Sequence, residues 1–139
     1  MSLLLDTNVL SEPSKPKPDA RVVAWLEQLV EEETFVSVIS IAELRRGMER
    51  LPAGRRKESF AHELEDLTQT FGGRLLPVNE DVAHAWGEMT AQQQARGLEL
   101  SVMDGFLAAT AKVHGLTLAT RNVRDSQMLG IEVFNPWSA

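Results

Sequence analysis

Short apolar runs alternate along the chain with longer segments in which apolar residues recur at helical spacing. The apolar runs predict strands at residues 3–5, 35–39, 75–78, 116–119 and 131–134. The periodic segments predict helices at residues 19–30, 40–51, 55–71, 79–96 and 101–115, most of them ended by a proline or a glycine. This alternation predicts an α/β fold with a central, mostly parallel five-stranded sheet that is covered by helices on both faces.

The chain shows no internal repeat and no linker, so we expect residues 1–139 to form one domain. Three prolines in residues 13–18 predict a surface loop, because proline cannot continue a helix. The apolar run at residues 3–5 is too short for a signal peptide or a membrane span, and we expect a cytoplasmic protein with no membrane partner.

Composition excludes several kinds of site. The chain has no cysteine, which excludes disulfides, thiolate zinc sites and a cysteine nucleophile. The three histidines, His62, His84 and His114, form no paired metal motif, which argues against zinc catalysis. The formal charge of −6 argues against simple phosphate binding, although divalent cations bound to acidic residues would reverse the local sign.

Carboxylates stand where several of the predicted strands end. Asp6 directly follows the first strand, Glu43 lies in the first turn of the helix after the second, and Asp125 follows the fourth by a few residues. Asp104 lies in the first turn of another helix. Ligands of open α/β sheets bind beyond the carboxyl ends of the strands, so these acids are candidates for one site.

Two of these acids have a structural alternative. Ser40 and Glu43, like Ser101 and Asp104, have the spacing of a capping box, in which the acid only caps its own helix. Both acids lie on largely apolar turns, however, and a buried acid needs a partner such as a cation. Carboxylates without nearby histidine or cysteine suit hard cations, namely Mg²⁺ or Mn²⁺.

Four segments of the chain resemble, in order, the motifs of PIN domains. They are LLDTNVL at residues 4–10, SVISIAEL at 37–44, VMDGFLAATA at 102–111 and LTLATRNVRD at 116–125. The likeness runs almost from end to end and is strongest to the VapC toxins of toxin–antitoxin pairs, particularly the FitB-like branch. It implies a three-layer α/β/α sandwich and an Mg²⁺- or Mn²⁺-dependent endoribonuclease whose acids match Asp6, Glu43, Asp104 and Asp125.

The resemblance also suggests supporting residues. We expect Thr7 and Asn8 to orient Asp6, while Thr120 and Asn122 match positions that support the last acid. The family often has phenylalanine after that acid, where this chain has Ser126. Some relatives use the position that matches Asn122, so either Asp125 or Asn122 completes the site.

The resemblance implies an RNA substrate, a cognate antitoxin, operator DNA bound only through that antitoxin, and a homodimer. Candidate contacts for RNA or antitoxin are Arg45, Arg46 and Arg50, for which a solvated helix face is the alternative. Two other functions stay open: a catalytically silent PIN scaffold that binds a partner or DNA, and a metal-dependent phosphohydrolase. Asp6-Thr7-Asn8 lacks the second aspartate of haloacid-dehalogenase-type phosphatases, which argues against the latter.

Overall fold

The structure is a computed structural model that describes residues 1–98, 100–127 and 129–138. The strands are β1 (Leu3–Leu5), β2 (Thr34–Ser37), β3 (Leu75–Leu76), β4 (Thr117–Ala119) and β5 (Val133–Phe134). The helices are α1 (Thr7–Ser11), α2 (Ala20–Glu27), α3 (Val38–Glu49), α4 (Arg55–Phe71), α5 (Glu80–Ala95), α6 (Val102–His114) and α7 (Val123–Gln127). No helix among the described residues combines the length and apolarity needed to cross a membrane.

The strands form one sheet in the order β3-β2-β1-β4-β5, and every neighbouring pair is parallel. Side chains of β1 alternate between two apolar clusters: Leu4 packs in one, with Val82 and Leu118, and Leu3 and Leu5 pack in the other. Both faces of the sheet are therefore covered. The expected α/β/α sandwich with a parallel five-stranded sheet is confirmed.

The start of α3 differs from the prediction. Ser37 is the N-cap, and its hydroxyl accepts a hydrogen bond from the backbone N–H of Ile39 at 3.0 Å. The β-branched pair Val38 and Ile39, interpreted above as the end of a strand, forms the first turn of α3 because this cap precedes it. The capping-box alternative for Ser40 and Glu43 is therefore excluded, and Glu43 lies in the second turn of α3 and not, as predicted, in the first.

Two five-residue helices, α1 and α7, were not predicted. Each is too short to show a helical period in the sequence. Asp6 is the N-cap of α1, and its Oδ1 accepts from the backbone N–H of Val9 at 2.8 Å. The predicted cap of α6 is confirmed, since the Ser101 hydroxyl accepts from the backbone N–H of Asp104 at 3.2 Å.

Candidate active site

Three neighbouring strands bring the candidate residues to one edge of the sheet. β1 lies between β2 and β4 and is parallel to both, so the carboxyl ends of all three point the same way. Asp6 follows β1, Thr120 follows β4, and α3 starts directly after β2. The backbone N–H of Asp6 donates to the carbonyl of Ala119 at 3.1 Å, which fixes Asp6 beside the end of β4.

Asp6 is a buried carboxylate in an unfavourable electrostatic position. It is 6% exposed, and burial raises its pKa above the ordinary range. The nearby charges of Asp104 and Glu43 raise the pKa of Asp6 further, while hydrogen bonds from the Thr120 hydroxyl and the Val9 N–H only partly offset the rise. Asp104 and Glu43 therefore both lie close enough to Asp6 to disfavour its charged form. Within the described residues, no lysine, arginine or histidine forms an ion pair with Asp6.

Glu43 is held by the residue that follows Asp6. The Thr7 hydroxyl donates to Glu43 Oε1 at 2.6 Å and lies 3.0 Å from the buried hydroxyl of Ser40. Thr7 was expected to orient Asp6, but its hydroxyl orients Glu43 instead. This hydrogen bond links α1 to α3. It could not be predicted from the local sequence, because it depends on how the two helices pack. Asn8, the other expected support of Asp6, is exposed.

Asp125 and Asn122, the two candidates for the fourth position, contact each other. Asn122 Nδ2 donates to Asp125 Oδ2 at 3.2 Å. The Thr120 hydroxyl accepts from the backbone N–H of Asn122 at 3.1 Å and donates to Asp6. Thr120 therefore supports Asp6, while Asn122 supports Asp125. A chain of hydrogen bonds through Thr120 and Asn122 joins the end of β1 to the start of α7.

The donor set fits a hard divalent cation. The candidate ligands are carboxylate oxygens, with the amide oxygen of Asn122 as the alternative to Asp125, and a cation would offset both the burial of Asp6 and its repulsion by Glu43 and Asp104. In residues 1–98, 100–127 and 129–138, no three histidine or acidic side chains converge closely enough to hold one ion together. Mg²⁺ does not require such a cage, since it usually binds one or two carboxylates and keeps several waters.

The PIN domain family matches residues 3–128 of the chain. The chain belongs to the PIN domain family. Toxin FitB of Neisseria gonorrhoeae is 43% identical over 136 residues, which are 97% of this chain and 98% of that protein. VapC ribonuclease Y4jK of Sinorhizobium fredii is 38% identical over 136 residues, 97% of each protein. A solved structure of FitAB bound to an IR36 DNA fragment is 41% identical, with a TM-score of 0.92, and the match covers 97% of this chain and 95% of that chain.

This PIN domain has a second buried acid that sequence reasoning missed. Glu12 is 3% exposed, and its carboxylate accepts from the backbone N–H of Asp19 at 3.0 Å and from Lys15 Nζ at 2.9 Å. These bonds, with a hydrogen bond from the Trp137 side chain, lower the pKa of Glu12. Glu12 therefore has protein partners that stabilise its charge, and it ties the proline-rich loop to the C-terminal segment. The signal in the sequence was a lysine three residues after an acid.

The arginines of α3 remain candidates for contacts outside the acid cluster. Arg45, Arg46 and Arg50 are all exposed, and Arg45 Nε donates to Glu49 Oε2 at 2.9 Å. Arg45 also borders a cavity of about 500 Å³ between α3 and α4, together with Met48 and Leu64. Neither Arg46 nor Arg50 forms an ion pair in the part of the chain that the structure describes.

Replacing Thr7 by valine is expected to lower catalytic turnover by about 10- to 100-fold, the range typical of residues that orient metal ligands. Valine keeps the shape of threonine but removes the hydroxyl that donates to Glu43. Thr7→Ser keeps that hydroxyl and serves as the matched control, with turnover near wild type. Equal rates for the valine and serine variants would show that this hydrogen bond does not serve the site. The measurement is kcat for a short RNA, with circular dichroism as the check on folding.

Proposed function

We propose that this PIN domain is a divalent-metal-dependent endoribonuclease and the toxin of a type II toxin–antitoxin system. The observation that carries the proposal is Asp6, a buried carboxylate whose ionised form is opposed by burial and by the charges of Glu43 and Asp104. Such a cluster lowers the stability of the fold unless a cation binds it. The relative Y4jK is named a ribonuclease, and FitB is named a toxin.

The chain's own residues have distinct tasks in this mechanism. Bound Mg²⁺ or Mn²⁺ would supply an activated water and neutralise charge on the scissile phosphate. Asp6, Glu43, Asp104 and Asp125 are the proposed ligands, directly or through water. Thr120 holds Asp6, Thr7 holds Glu43 and Asn122 holds Asp125. No side-chain nucleophile is required, which agrees with the absence of cysteine from the chain and with three exposed histidines.

The two alternative functions have less support. A scaffold that only binds partners gains nothing from a buried aspartate whose charge is opposed by its surroundings. A phosphatase of the haloacid-dehalogenase type needs a second acid near Asn8, where this chain has an exposed amide. We therefore propose cleavage of phosphodiester bonds, with RNA as the substrate.

Removing divalent metal is expected to abolish cleavage of single-stranded RNA, because the proposed ligands are all oxygens, which suit hard divalent cations, and the proposed mechanism takes its activated water from the metal. Excess EDTA should stop the reaction, and added Mg²⁺ or Mn²⁺ should restore it. Gel analysis of a labelled RNA gives the rate in each condition. Undiminished cleavage in excess EDTA would refute the metal-dependent mechanism, and metal-dependent hydrolysis of phosphomonoesters without RNA cleavage would favour the phosphohydrolase alternative.

The proposed partners are a cognate antitoxin and, through it, operator DNA. FitB is named a toxin, and the structure of FitAB contains DNA. We propose that this chain forms a homodimer and acts on RNA in the cytoplasm until the antitoxin binds. Arg46 and Arg50 are exposed cations that suit an acidic antitoxin segment or RNA phosphates.

Expression of the chain alone is expected to slow growth of its host, and co-expression of the antitoxin encoded beside it should restore growth. Asp6→Asn is the control, because it removes the central ligand and should make expression harmless. Growth curves with matched expression levels provide the measurement. Unimpaired growth with abundant, folded wild-type protein would contradict the toxin assignment. If the Asp6→Asn variant is as toxic as wild type, toxicity does not depend on the acid cluster.

A further inference from the structure

An exposed arginine, Arg121, lies between two residues that hold candidate acids. It directly follows Thr120, whose hydroxyl donates a hydrogen bond to Asp6. It directly precedes Asn122, whose side-chain amide donates to Asp125. Consecutive Cα atoms are about 3.8 Å apart, so the backbone of Arg121 lies at the same edge of the sheet as these acids.

The side chain of Arg121 is held by an aromatic ring. Its guanidinium lies over the ring of Trp137, with Cζ 5.0 Å from the ring centroid. Trp137 is 6% exposed, its indole N–H donates to Glu12, and its backbone N–H donates to Asn135 Oδ1 at 2.9 Å. A long side chain loses rotamer freedom when it binds a ligand, and contact with a fixed ring reduces that loss. Arg121 is therefore partly ordered before a ligand binds.

The hydrogen-bond donors of Arg121 remain available. Stacking uses the flat face of a guanidinium and leaves the N–H groups at its edge, which match the oxygens of a phosphate in pairs. In residues 1–98, 100–127 and 129–138, Arg121 forms no ion pair with an acid, although Asp6 and Asp125 lie at the same edge of the sheet. An exposed, ordered cation with unused paired donors suits an anionic ligand that binds across this edge.

We propose, on the basis of the ribonuclease function above, that Arg121 binds a backbone phosphate of the RNA strand that occupies the acid cluster, and that Trp137 positions it. The contact is made to phosphate oxygens, so it orients the strand and carries no preference for a base. It also provides local positive charge in a chain whose formal charge is −6, which by itself disfavours the approach of RNA.

The test measures binding of a fluorescently labelled single-stranded RNA by anisotropy at several KCl concentrations and one fixed Mg²⁺ concentration. Every protein in the series carries Asp6→Asn, so that the RNA stays intact. Adding Arg121→Gln is expected to lower the affinity by about tenfold, the effect of one charge-assisted hydrogen bond. It should also reduce the slope of log affinity against log salt by about 0.7, because one phosphate fewer is neutralised.

Two further variants make the test specific. Lys112→Gln removes the same charge from an exposed residue in the last turn of α6, at the other end of that helix from Asp104, and should leave the salt slope unchanged. Arg121→Lys keeps the charge but loses the planar group that stacks on Trp137, so it should keep the slope and recover only part of the affinity.

Two results overturn the proposal. One is a salt slope in Arg121→Gln equal to that in Lys112→Gln, and the other is the absence of measurable RNA binding throughout the series. If the slope is equal and Arg121→Gln instead weakens binding of the antitoxin, Arg121 contacts the protein partner and not RNA.

Failure of the ribonuclease proposal has a different signature. If the protein with Asp6 intact cleaves no RNA in Mg²⁺ or Mn²⁺, but Arg121→Gln still reduces the salt slope, Arg121 binds phosphate in a protein that is not a ribonuclease. If the protein cleaves RNA, Arg121→Gln should raise KM and leave kcat near wild type, because the contact holds the strand and not the reacting atoms. Cleavage with an unchanged KM and an unchanged salt slope would refute the phosphate contact alone.

Discussion

Replacing Asp6 by asparagine is expected to abolish cleavage and to leave the folded protein at least as stable as wild type. The loss of a central ligand should lower kcat/KM by about 10³-fold, which corresponds to about 4 kcal/mol of transition-state stabilisation. The fold should survive because asparagine is as good an N-cap as aspartate, and can accept the hydrogen bond from the Val9 N–H. Most substitutions that destroy activity at a buried position also destabilise, so the combination is diagnostic.

The stability effect has a definite dependence on pH. Burial and the neighbouring acids raise the pKa of Asp6 in the folded state, so the protein loses stability as the pH rises through that raised pKa. Asparagine does not ionise and avoids this loss. The advantage of Asp6→Asn over wild type should therefore be present at neutral pH and disappear in acid, where the aspartate is protonated in both the folded and the unfolded states. Thermal unfolding at several pH values, without added metal, measures it.

Asp19 provides a matched control, since it is also an N-cap aspartate, at the start of α2. The pKa of Asp19 is lowered, chiefly by hydrogen bonds from the Arg21 side chain and backbone, so its charge stabilises the fold. Asp19→Asn should therefore destabilise slightly at neutral pH and leave cleavage unchanged. An Asp6→Asn variant that unfolds would instead identify Asp6 as a structural cap, and a large loss of activity in Asp19→Asn would show that the assay reports on stability.

The elements that could be predicted from the sequence are those whose periodicity extends over several turns or whose strands are wholly apolar. The five strands follow from short apolar runs, and their alternation with helices gives the parallel sheet. Helices α1 and α7 escaped prediction because five residues contain too little of a 3.6-residue period. The boundary at Ser37 was missed because Val38 and Ile39 favour strands locally, while the cap and tertiary packing favour a helix.

At the candidate site, the sequence predicted where the acids lie along the strands and helices, but it did not predict which side chains form hydrogen bonds with them. Asp6, Glu43 and Asp104 were expected to meet because each stands beside a strand end or in an early helical turn. That Thr7 bonds Glu43, and Thr120 bonds Asp6, depends on the packing of α1 against α3 and on the pairing of β1 with β4. The contrast between Asp6 and Glu12 has the same origin. Both are buried acids near the N-terminus, but of the two only Glu12 is bonded to a lysine among the described residues. Burial alone therefore does not distinguish an acid of a functional site from an acid that stabilises the fold.

The residue after Asp104 sets how closely α5 and α6 approach. Gly105 is buried, and a Cβ at this position would lie 2.9 Å from Trp86 Nε1 and 3.2 Å from Trp86 Cδ1. Such a distance is too short, so the indole would have to move. The Trp86 ring cannot move freely, since it stacks on Phe106 with ring centroids 5.0 Å apart. The close approach of these helices therefore depends on glycine, and a change there also disturbs the turn that carries Asp104.

Gly105→Ala is expected to destabilise the protein by about 1–3 kcal/mol, the usual cost of inserting a methyl group into a packed region. It should also lower kcat, because the displaced turn moves Asp104. Gly87→Ala is the matched control: Gly87 lies on α5 with nothing within 4 Å of its added Cβ. That control should stabilise the protein by about 0.5–1 kcal/mol through helix propensity and leave kcat unchanged. Urea denaturation and single-turnover cleavage provide the two measurements.

A second substitution tests whether the contact between the added methyl group and the Trp86 indole causes the loss of stability. Trp86→Leu removes the atoms nearest to the added Cβ, and it breaks no hydrogen bond among the described residues, since Trp86 Nε1 is buried without a partner. Gly105→Ala should therefore cost much less in the Trp86→Leu background than in wild type, and the difference is the coupling energy of the pair. If Gly105→Ala lowers the free energy of unfolding equally in both backgrounds, the indole does not limit the approach of α5 to α6. If kcat stays low in the double variant although its stability is restored, the methyl group displaces Asp104 directly.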